Sequence, residues 1–505
     1  MTLARCRDWV RRNPEAAAIL ALGAVLRCLW LTRLSLWSDE ASTMVIAQAG
    51  RGTWALVRAR ESSPPLHYLL MRLWLPLWSD PLLGLRTFSA LCGIATLPLF
   101  WAFCRRLLPR AAVLAFFLAA ASSLWIHASQ TGRHYALFLL LAMTQALLAW
   151  SLREAWSNRR ALLYAAVALG GIYTHYYYHL LLLSLGCSLL LETRFRARSL
   201  GPWLALHGVV WLAFMPWVPS LLAQRHAAFS GLLLSERLSP GLVAHAFGTA
   251  LCDAGYLGLA VPGWTRALGW AALALAAAGL WRARRGLTQE ERAAVRFCLL
   301  NLALPLAAAA ALEALHGRPI CQPRYLVFLP MFFYPLLALA AQELCPGACG
   351  RAARLLLATT AAGGVAAYFT SNIVIDPRLA QSSVLIRRAL DRRVPVIHWS
   401  PLEYAPWRYY YLPERAHFML DLAPAGAAAS WDWPGYAGRI TPRQLAALPA
   451  CLVIDPERRL SSRRISFGSG ARILERAGIR PPPPTPRAQS RLRGRSPSAR
   501  PGSRP

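Results

Sequence analysis

Two adjacent carboxylates, Asp39 and Glu40, stand in the stretch LWSDEAS just after the first long apolar run of this sequence. A carboxylate placed there could take a proton from an attacking hydroxyl group. It could equally cap a helix, because Ser38 or Asp39 suits the N-cap and an acidic first turn complements the helix dipole. A third carboxylate, Glu61, follows in the same loop. The spacing alone leaves both interpretations open.

Two later clusters carry groups that could bind a substrate beside these carboxylates. The stretch SPPLHYLL contains His67 and Tyr68 after two prolines that stiffen the chain. The stretch SQTGRHYALF supplies Arg133, His134 and Tyr135. An Arg and a Tyr at the mouth of membrane spans also act as interfacial anchors, so a purely structural role stays open.

The stretch HGRPICQPRYLVFLP places Arg318, Arg324 and Tyr325 at the start of a late apolar run. A planar guanidinium group donates two parallel hydrogen bonds and therefore suits phosphate, above all where water is partly excluded. The cluster predicts a partner with an anionic group such as a lipid phosphate. That lipid would be either a substrate or a headgroup that only anchors the protein.

The stretch THYYYH carries His175 and His179 at the i, i+4 spacing that can hold a metal ion on a helix. The tyrosines between them also fit an aromatic belt at the membrane surface. The belt is the favoured interpretation, with a metal site as the alternative.

A membrane-embedded scaffold must position these clusters. The 505 residues are 56% hydrophobic and only 15% charged, which is typical of an integral membrane protein. The formal net charge of +32 comes from arginines scattered between apolar runs. Such scattering indicates membrane topology and not a nucleic-acid-binding surface.

The apolar runs predict an all-α polytopic bundle, since a helix of about 20 mostly apolar residues crosses the hydrocarbon of a bilayer. Arginine-rich loops stay cytoplasmic, and with a basic N-terminus inside, the polar clusters described above fall on the outer side. Residues 223–262 are predicted to be an outer loop with short interfacial helices. About eleven spans result, over residues 15–32, 85–103, 111–128, 135–151, 161–176, 179–192, 201–222, 265–281, 293–313, 325–343 and 352–371.

Three regions follow from this pattern. Residues 1–371 form the transmembrane domain, whose large first outer loop covers residues 33–84. Residues 372–480 contain short strand-like runs such as VPVIHW and CLVIDP, and they predict a small extracytoplasmic α/β domain. Residues 481–505 are rich in Pro, Arg and Ser and are predicted to be disordered.

Five motifs occur in an order that resembles one family: LWSDEAS, SPPLHYLL, LRTFSALCGIATLPLFWAFCRRL, SQTGRHYALFLLLA and PRYLVFLP. They are similar to the bacterial branch of the protein O-mannosyltransferase-like membrane glycosyltransferases, of the GT-C class. The resemblance extends from about Leu22 to Ala340. The C-terminal domain matches only in kind, and the tail does not match.

The resemblance implies a hexosyl- or pentosyltransferase of the bacterial inner membrane, with its active site on the extracytoplasmic face. Its donor would be a sugar linked to polyprenyl phosphate. Its acceptor would be a protein, a lipid or an envelope glycan.

Carried over by motif, Asp39 resembles the essential acidic residue of the family and would act as the general base, with Glu40 as its catalytic neighbour. One displacement by the acceptor hydroxyl group would invert the anomeric centre. Arg324, and with it Arg133, would stabilise the leaving phosphate. The other expected substrate-binding residues are His67, Tyr68, His134, Tyr135 and Tyr325.

The sequence departs from the family at Gln130, Thr131 and Gly132, where many relatives have an acidic residue beside the Arg. No cofactor is therefore expected to be required, since phosphate already leaves readily next to arginine. A divalent cation at Asp39, with help from Glu40, is the alternative.

Two other functions fit the apolar composition. A transporter of an anionic or lipid-linked substrate would use the many spans, with Arg27 inside the first span as part of a substrate path. Paired halves, which are common in transporters, are not visible in the sequence. A non-catalytic envelope scaffold would leave the ordered motifs unexplained.

Overall fold

The structure, a computed structural model, describes most of the first 371 residues and four later strands. The described residues are 3–32, 38–61, 63–223, 237–252, 263–317, 319–344, 348–371, 396–398, 417–420, 436–440 and 452–454. The chain divides into two compact units, Met1–Ala380 and Gln381–Pro505.

The first unit is helical wherever it is described at length. Its helices are α1 (Leu3–Arg12), α2 (Pro14–Cys28), α3 (Ser38–Gln48), α4 (Thr53–Arg60), α5 (Leu66–Trp74), α6 (Pro81–Leu107), α7 (Ala112–Ala120), α8 (Ser123–Gln130), α9 (Tyr135–Glu154), α10 (Asn158–Ile172), α11 (Tyr178–Leu190), α12 (Thr193–Phe214), α13 (Pro240–Leu251), α14 (Gly263–Ala283), α15 (Gln289–His316), α16 (Pro330–Glu343) and α17 (Ala348–Ser371). Short 3-10 turns connect several of them.

Every predicted span overlaps one of these helices, so the multispan helical class is confirmed. Five helical stretches among the described residues are long and apolar enough to cross a membrane, and a bent pair makes a sixth. The five stretches are Pro81–Leu107, Tyr135–Glu154, Phe195–Ala223, Gln289–His316 and Gly350–Thr370. Helices such as α10 and α11, with 15 and 13 residues, are shorter than a bilayer core requires. The total of eleven spans stays a prediction.

The predicted span 111–128 is not one straight helix. Helices α7 and α8 meet at a bend of 49°. Ser122 begins the second helix, since its side-chain oxygen accepts a hydrogen bond from the Trp125 N–H group at 3.3 Å. Hydropathy does not register such a break, because both halves are apolar.

Helix α13 corrects the prediction of interfacial helices in the segment 223–262. All its residues from Ala244 to Leu251 are buried, and it packs along α14. Gly248 and Gly269 let the two backbones touch, because a Cβ atom on either would collide with a carbonyl group of the other helix. The helix is therefore part of the bundle interior; residues 224–236 and 253–262 lie outside the described residues.

Helix α16 is the central helix, with every residue from Pro330 to Ala341 buried. A helix that is apolar on all sides suits the core of a bundle or a membrane span, and the burial of this one places it in the core. It packs against α7, α14, α15 and α17, and the 3-10 turn just before it carries Arg324.

The second unit contains β1 (Val396–His398), β2 (His417–Leu420), β3 (Tyr436–Ile440) and β4 (Leu452–Ile454). All three pairings are parallel, in the order β3-β2-β1-β4, with an irregularity at His417/Phe418. Strands β1 and β4 occupy the predicted runs VPVIHW and CLVIDP. The rest of the predicted α/β domain and the tail 481–505 lie outside the described residues, so both remain predictions.

Candidate active site

Asp39 and Glu40 form the first turn of α3. Successive residues of a helix point about 100° apart, and the two carboxylates have different surroundings. The Asp39 side chain is 30% exposed, whereas Glu40 is fully buried. Of the two, only Asp39 is accessible to a substrate.

Asp39 faces Arg324, although the two residues come from opposite ends of the sequence of the helical unit. The Arg324 Nη1 atom donates to the Asp39 Oδ2 atom at 3.4 Å, and both side chains remain partly exposed. The Arg324 guanidinium group also lies 5.5 Å from the centre of the Tyr325 ring. A carboxylate and a cation that the sequence separates widely thus share one exposed location. Arg318 lies outside the described residues.

Arg133 is buried and joins several residues of the segment 39–68. Its Nη1 atom donates to the Asp39 carbonyl oxygen at 3.0 Å, the Thr43 Oγ1 atom at 2.9 Å and the Tyr68 hydroxyl oxygen at 3.2 Å. Its Nη2 atom lies 3.8 Å from the Glu61 Oε2 atom. The Tyr68 hydroxyl group donates to that same oxygen at 2.7 Å. Arg133 and Tyr68 are thus already engaged in holding Asp39 in place.

Glu40 is the anchor of a buried ion pair with Arg86, a residue that the sequence argument did not single out. The Arg86 Nε and Nη2 atoms donate to the two Glu40 oxygens at 3.0 and 2.7 Å. Arg86 also donates to the Leu31 carbonyl oxygen at 2.7 Å. The position of Arg86 inside the apolar span α6 was the available signal, because an ionisable residue there needs a partner.

The same carboxylate holds the loop that carries Arg133. The Gly132 N–H group donates to the Glu40 Oε1 atom at 2.6 Å. A Cβ atom at this position would collide with Leu85 and approach the Glu40 carboxylate. Glycine at position 132 therefore permits the close approach of the backbone to Glu40. These contacts favour a positioning role for Glu40 over direct catalysis.

His134 lies in a cluster of buried rings behind these groups. Its ring centre is 4.5 Å from that of Tyr135, 4.8 Å from that of His175 and 6.1 Å from that of His67. Within the described part of the chain, neither ring nitrogen of His134 has a hydrogen-bond partner. Tyr325 extends the cluster, with its ring centre 5.4 Å from that of His175.

His175 and His179 do not form the metal pair that their spacing allowed. Helix α11 begins only at Tyr178, so the two residues do not share a helix face. The His175 ring stacks on Phe138 at 5.1 Å, and its Nδ1 atom accepts a hydrogen bond from the Tyr177 N–H group. His179 packs against Trp211 and Phe214. Across the described residues, no group of three or more His, Cys, Asp or Glu residues is placed to hold a metal ion.

Acid is expected to destabilise the protein through His67 and His134. Burial, together with Arg133, lowers the pKa of His67 to about 3. Burial beside His175 and Arg133 holds the pKa of His134 well below its usual range. Because the unfolded imidazoles bind protons below about pH 6.5, the free energy of unfolding should fall as the pH drops from there toward 3. Each histidine contributes at most roughly 1.4 kcal/mol per pH unit in that window.

The measurement is the melting temperature in detergent between about pH 7.5 and pH 4.5. His67→Phe should flatten the decline, since phenylalanine retains the contacts with Phe88 and Tyr68 but cannot titrate. The exposed His316, replaced by phenylalanine, is the control and should leave the slope unchanged. An equal slope in wild type and His67→Phe would contradict the assignment.

The helical unit around this site has the fold of the GT-C class of membrane glycosyltransferases. Residues 62–219, less than half of the chain, match the sequence profile of the dolichyl-phosphate-mannose-protein mannosyltransferase family. The PMT-like GT-C fold expected from the motif order is confirmed. A search of curated proteins found no significant sequence match.

Solved structures with this fold include ArnT from Cupriavidus metallidurans. The form bound to undecaprenyl phosphate has a TM-score of 0.56 at 15% identity, with 82% of this chain and 87% of that chain covered. The apo form has a TM-score of 0.54 at 13% identity, with 83% and 87% covered. The apo oligosaccharyltransferase of Archaeoglobus fulgidus has a TM-score of 0.50 at 14% identity, with 80% of this chain and 64% of that chain covered.

Proposed function

We propose that this protein is an integral membrane glycosyltransferase that moves a sugar from a polyprenyl-phosphate donor to an acceptor hydroxyl group. The reaction takes place at the extracytoplasmic face of a bacterial inner membrane. The observation that carries the proposal is the exposed Asp39–Arg324 pair, with 3.4 Å between the Nη1 and Oδ2 atoms. A similar fold binds undecaprenyl phosphate in ArnT, which supports a polyprenyl-phosphate donor.

Asp39 is the general base in this proposal. Its carboxylate takes the proton of the acceptor hydroxyl group as the oxygen attacks the anomeric carbon. The new C–O bond forms as the bond from that carbon to the phosphate oxygen breaks, and the phosphate leaves with the electron pair. Attack opposite to the leaving group inverts the anomeric centre.

Arg324 is the phosphate ligand. Its side chain is 20% exposed and lies beside the partly exposed Asp39 carboxylate. A guanidinium group there stabilises the negative charge that grows on the leaving oxygen. Arg133 contributes through position, since its Nη1 atom already bonds three oxygens of the first outer loop.

Tyr325 is the proposed wall of the sugar site, and the buried ring cluster supports it from behind. Tyr325 is partly exposed beside Arg324, and His134 and Tyr135 lie behind it. His67 and Tyr68 close the side next to Arg133. The Tyr325 ring offers a stacking face and a hydroxyl group without adding charge, as a sugar ring requires.

A divalent cation finds a poor set of ligands here. Both Glu40 oxygens accept hydrogen bonds from Arg86, and Asp39 already faces Arg324. The third carboxylate, Glu61, accepts a hydrogen bond from the Tyr68 hydroxyl group and lies beside Arg133. The carboxylates here thus already face cations or hydrogen-bond donors and do not form an open set of oxygen ligands for a hard cation such as Mg²⁺. No step of the mechanism is therefore assigned to a metal ion.

The transporter interpretation depended on Arg27 as part of a substrate path. Arg27 is 1% exposed, and its guanidinium group donates to backbone carbonyl oxygens of α2 and α7. These contacts favour a structural cation over a transport site.

The test of the proposed function is release of polyprenyl phosphate by the purified protein from polyprenyl-phosphate sugars in lipid nanodiscs. Product formation should require an acceptor, supplied as an envelope extract. A comparison of envelope glycans in cells with and without the gene would identify the acceptor class. Substrate movement across a bilayer with no bond cleavage would instead support the transporter.

Arg324→Ala is expected to raise the KM for the polyprenyl-phosphate donor by about 10- to 100-fold, because a charge-assisted contact to phosphate is worth about 1.5–3 kcal/mol. The donor KM of Arg324→Lys should lie between those of wild type and Arg324→Ala, since lysine keeps the positive charge but loses the two parallel N–H donors of the guanidinium group. Arg110→Ala is the control, because Arg110 pairs with Glu291 and Glu343 elsewhere. An unchanged donor KM would leave Arg324 as an interfacial anchor only.

A further inference from the structure

Arg27 closes the broken end of helix α7 from inside the bundle. Its Nη1 atom donates to the Ala120 carbonyl oxygen at 3.1 Å, and its Nη2 atom to that of Ala119 at 3.3 Å. Carbonyl groups in the last turn of a helix lack helical partners and carry partial negative charge. Among the described contacts of Arg27 there is no carboxylate, so the helix end itself supplies the complementary charge.

Gln130 makes the reciprocal contact at the other end of helix α8. Its side-chain amide donates to the Leu26 and Leu29 carbonyl oxygens, at 2.9 and 2.8 Å, where α2 ends. Its Oε1 atom accepts a hydrogen bond from the Tyr368 hydroxyl group at 3.0 Å. Helix α2 therefore caps α7, while the last residue of α8 caps α2.

These two caps fix the course of the short helix α8. Ser122 adds a third fixed point at the bend, because its side chain donates to the Ala250 carbonyl oxygen at 2.9 Å. A helix of eight residues held at both ends has little freedom to shift along or around its axis. Its direction decides where the next residues, 131–134, enter the site.

Residues 131–134 are the ones that hold the base. The Gly132 N–H group donates to Glu40, and Arg133 donates to the Asp39 carbonyl oxygen at 3.0 Å. We propose that Arg27 and Gln130 are positioning residues of the transfer reaction, acting through α8 on the loop that orients Asp39. This proposal rests on the proposed glycosyltransferase function and gives Gln130 a role of its own.

Helix α8 reaches both Asp39 and the turn that carries Arg324. Arg324 lies on the 3-10 turn before α16, and the Trp125 Nε1 atom of α8 donates to the Val327 carbonyl oxygen, just after that turn, at 2.9 Å. A shift of α8 therefore misplaces Asp39 and disturbs the Arg324 turn as well. A misplacement of about 1 Å at a reacting group costs on the order of 100-fold in rate.

The experiment compares Arg27→Met, Gln130→Met and the double variant with wild type. Each single variant should lower kcat by at least about tenfold. The kcat of the double variant should be no lower than that of the less active single variant, because both residues act through one helix. Arg27→Lys, which can still donate to the Ala120 carbonyl oxygen, should recover part of the loss.

Gln145→Met is the matched control. Gln145 is also a fully buried glutamine that joins helices, since it donates to the Tyr164 carbonyl oxygen and accepts from Tyr178. It makes no bond to residues 131–134 in the described contacts. Gln145→Met should lower the melting temperature about as much as Gln130→Met does, while its kcat stays within about twofold of the wild-type value.

Hydrogen–deuterium exchange of the peptide that contains residues 131–134 gives a readout without any substrate. Exchange at these amides should accelerate in Arg27→Met and Gln130→Met and stay unchanged in Gln145→Met. Unchanged exchange, or an equal loss of kcat in all three variants, would overturn the positioning role. Faster exchange in a protein without transferase activity would instead overturn the proposed function while leaving the mechanical link intact.

Discussion

Asp39→Asn is expected to lower the rate of sugar transfer by about 10²- to 10⁴-fold, the usual contribution of a general base. Asparagine has nearly the same shape and still tolerates the first turn of α3, but it cannot take the proton of the acceptor hydroxyl group. Because Arg324 would keep its phosphate contact, the donor KM should change little. The measurement is release of polyprenyl phosphate under single-turnover conditions.

Asp80→Asn is the control for this substitution. Asp80 caps α6 by accepting hydrogen bonds from the Leu82 and Leu83 N–H groups, and asparagine caps helices about equally well. Its activity should match wild type. Near-normal transfer by Asp39→Asn in a folded protein would remove Asp39 from the role of base and redirect the search to Glu61.

Glu40→Gln and Arg86→Met are each expected to destabilise the protein by about 3–5 kcal/mol, because either change leaves an unpaired charge in the interior. Both side chains of this ion pair are 1% exposed. The Glu40 change also weakens the bond from Gly132, so activity should be lost together with stability. Thermal unfolding in detergent and the yield of folded protein measure the effect.

The double variant Glu40→Leu/Arg86→Met distinguishes a buried charge from a catalytic one. Removing both charges should restore most of the stability, since apolar residues replace a buried pair at little cost. Activity should stay low, because the Gly132 N–H group has lost its acceptor and Asp39 its support. Full activity in the stable double variant would show that the anchor is dispensable.

The sequence predicted the helices of the bundle better than their breaks. Hydropathy follows long apolar runs, and α6, α9 and α15 appear where expected. The bend between α7 and α8 depends on one serine oxygen and on Arg27, which donates from α2. Helix α13 is too short to register as a span and was assigned to the membrane surface. Its burial depends on the contact between Gly248 and Gly269, two residues that are glycines for reasons of packing.

For the candidate site, too, the sequence predicted some features and missed others. The clusters with Asp39, Arg133 and Arg324 do come together. Their roles within the site could not be read from motif order, because a buried and an exposed carboxylate are neighbours in the chain. Arg86 was missed because it stands in an apolar span, and only the structure pairs it with Glu40. The catalytic and binding roles themselves remain predictions.

The separation of the two partners along the chain decides when each ion pair can form during synthesis. Glu40 and Arg86 are 46 positions apart, so both are present once α6 has left the ribosome. Asp39 and Arg324 are 285 positions apart, so the carboxylate lacks its cation until the 3-10 turn before α16 emerges. Chains are made and inserted from the N-terminus. A growing or truncated chain therefore carries the Glu40–Arg86 anchor but lacks Arg324, the proposed phosphate ligand. The proposed transferase becomes competent only when nearly all its membrane helices are in place.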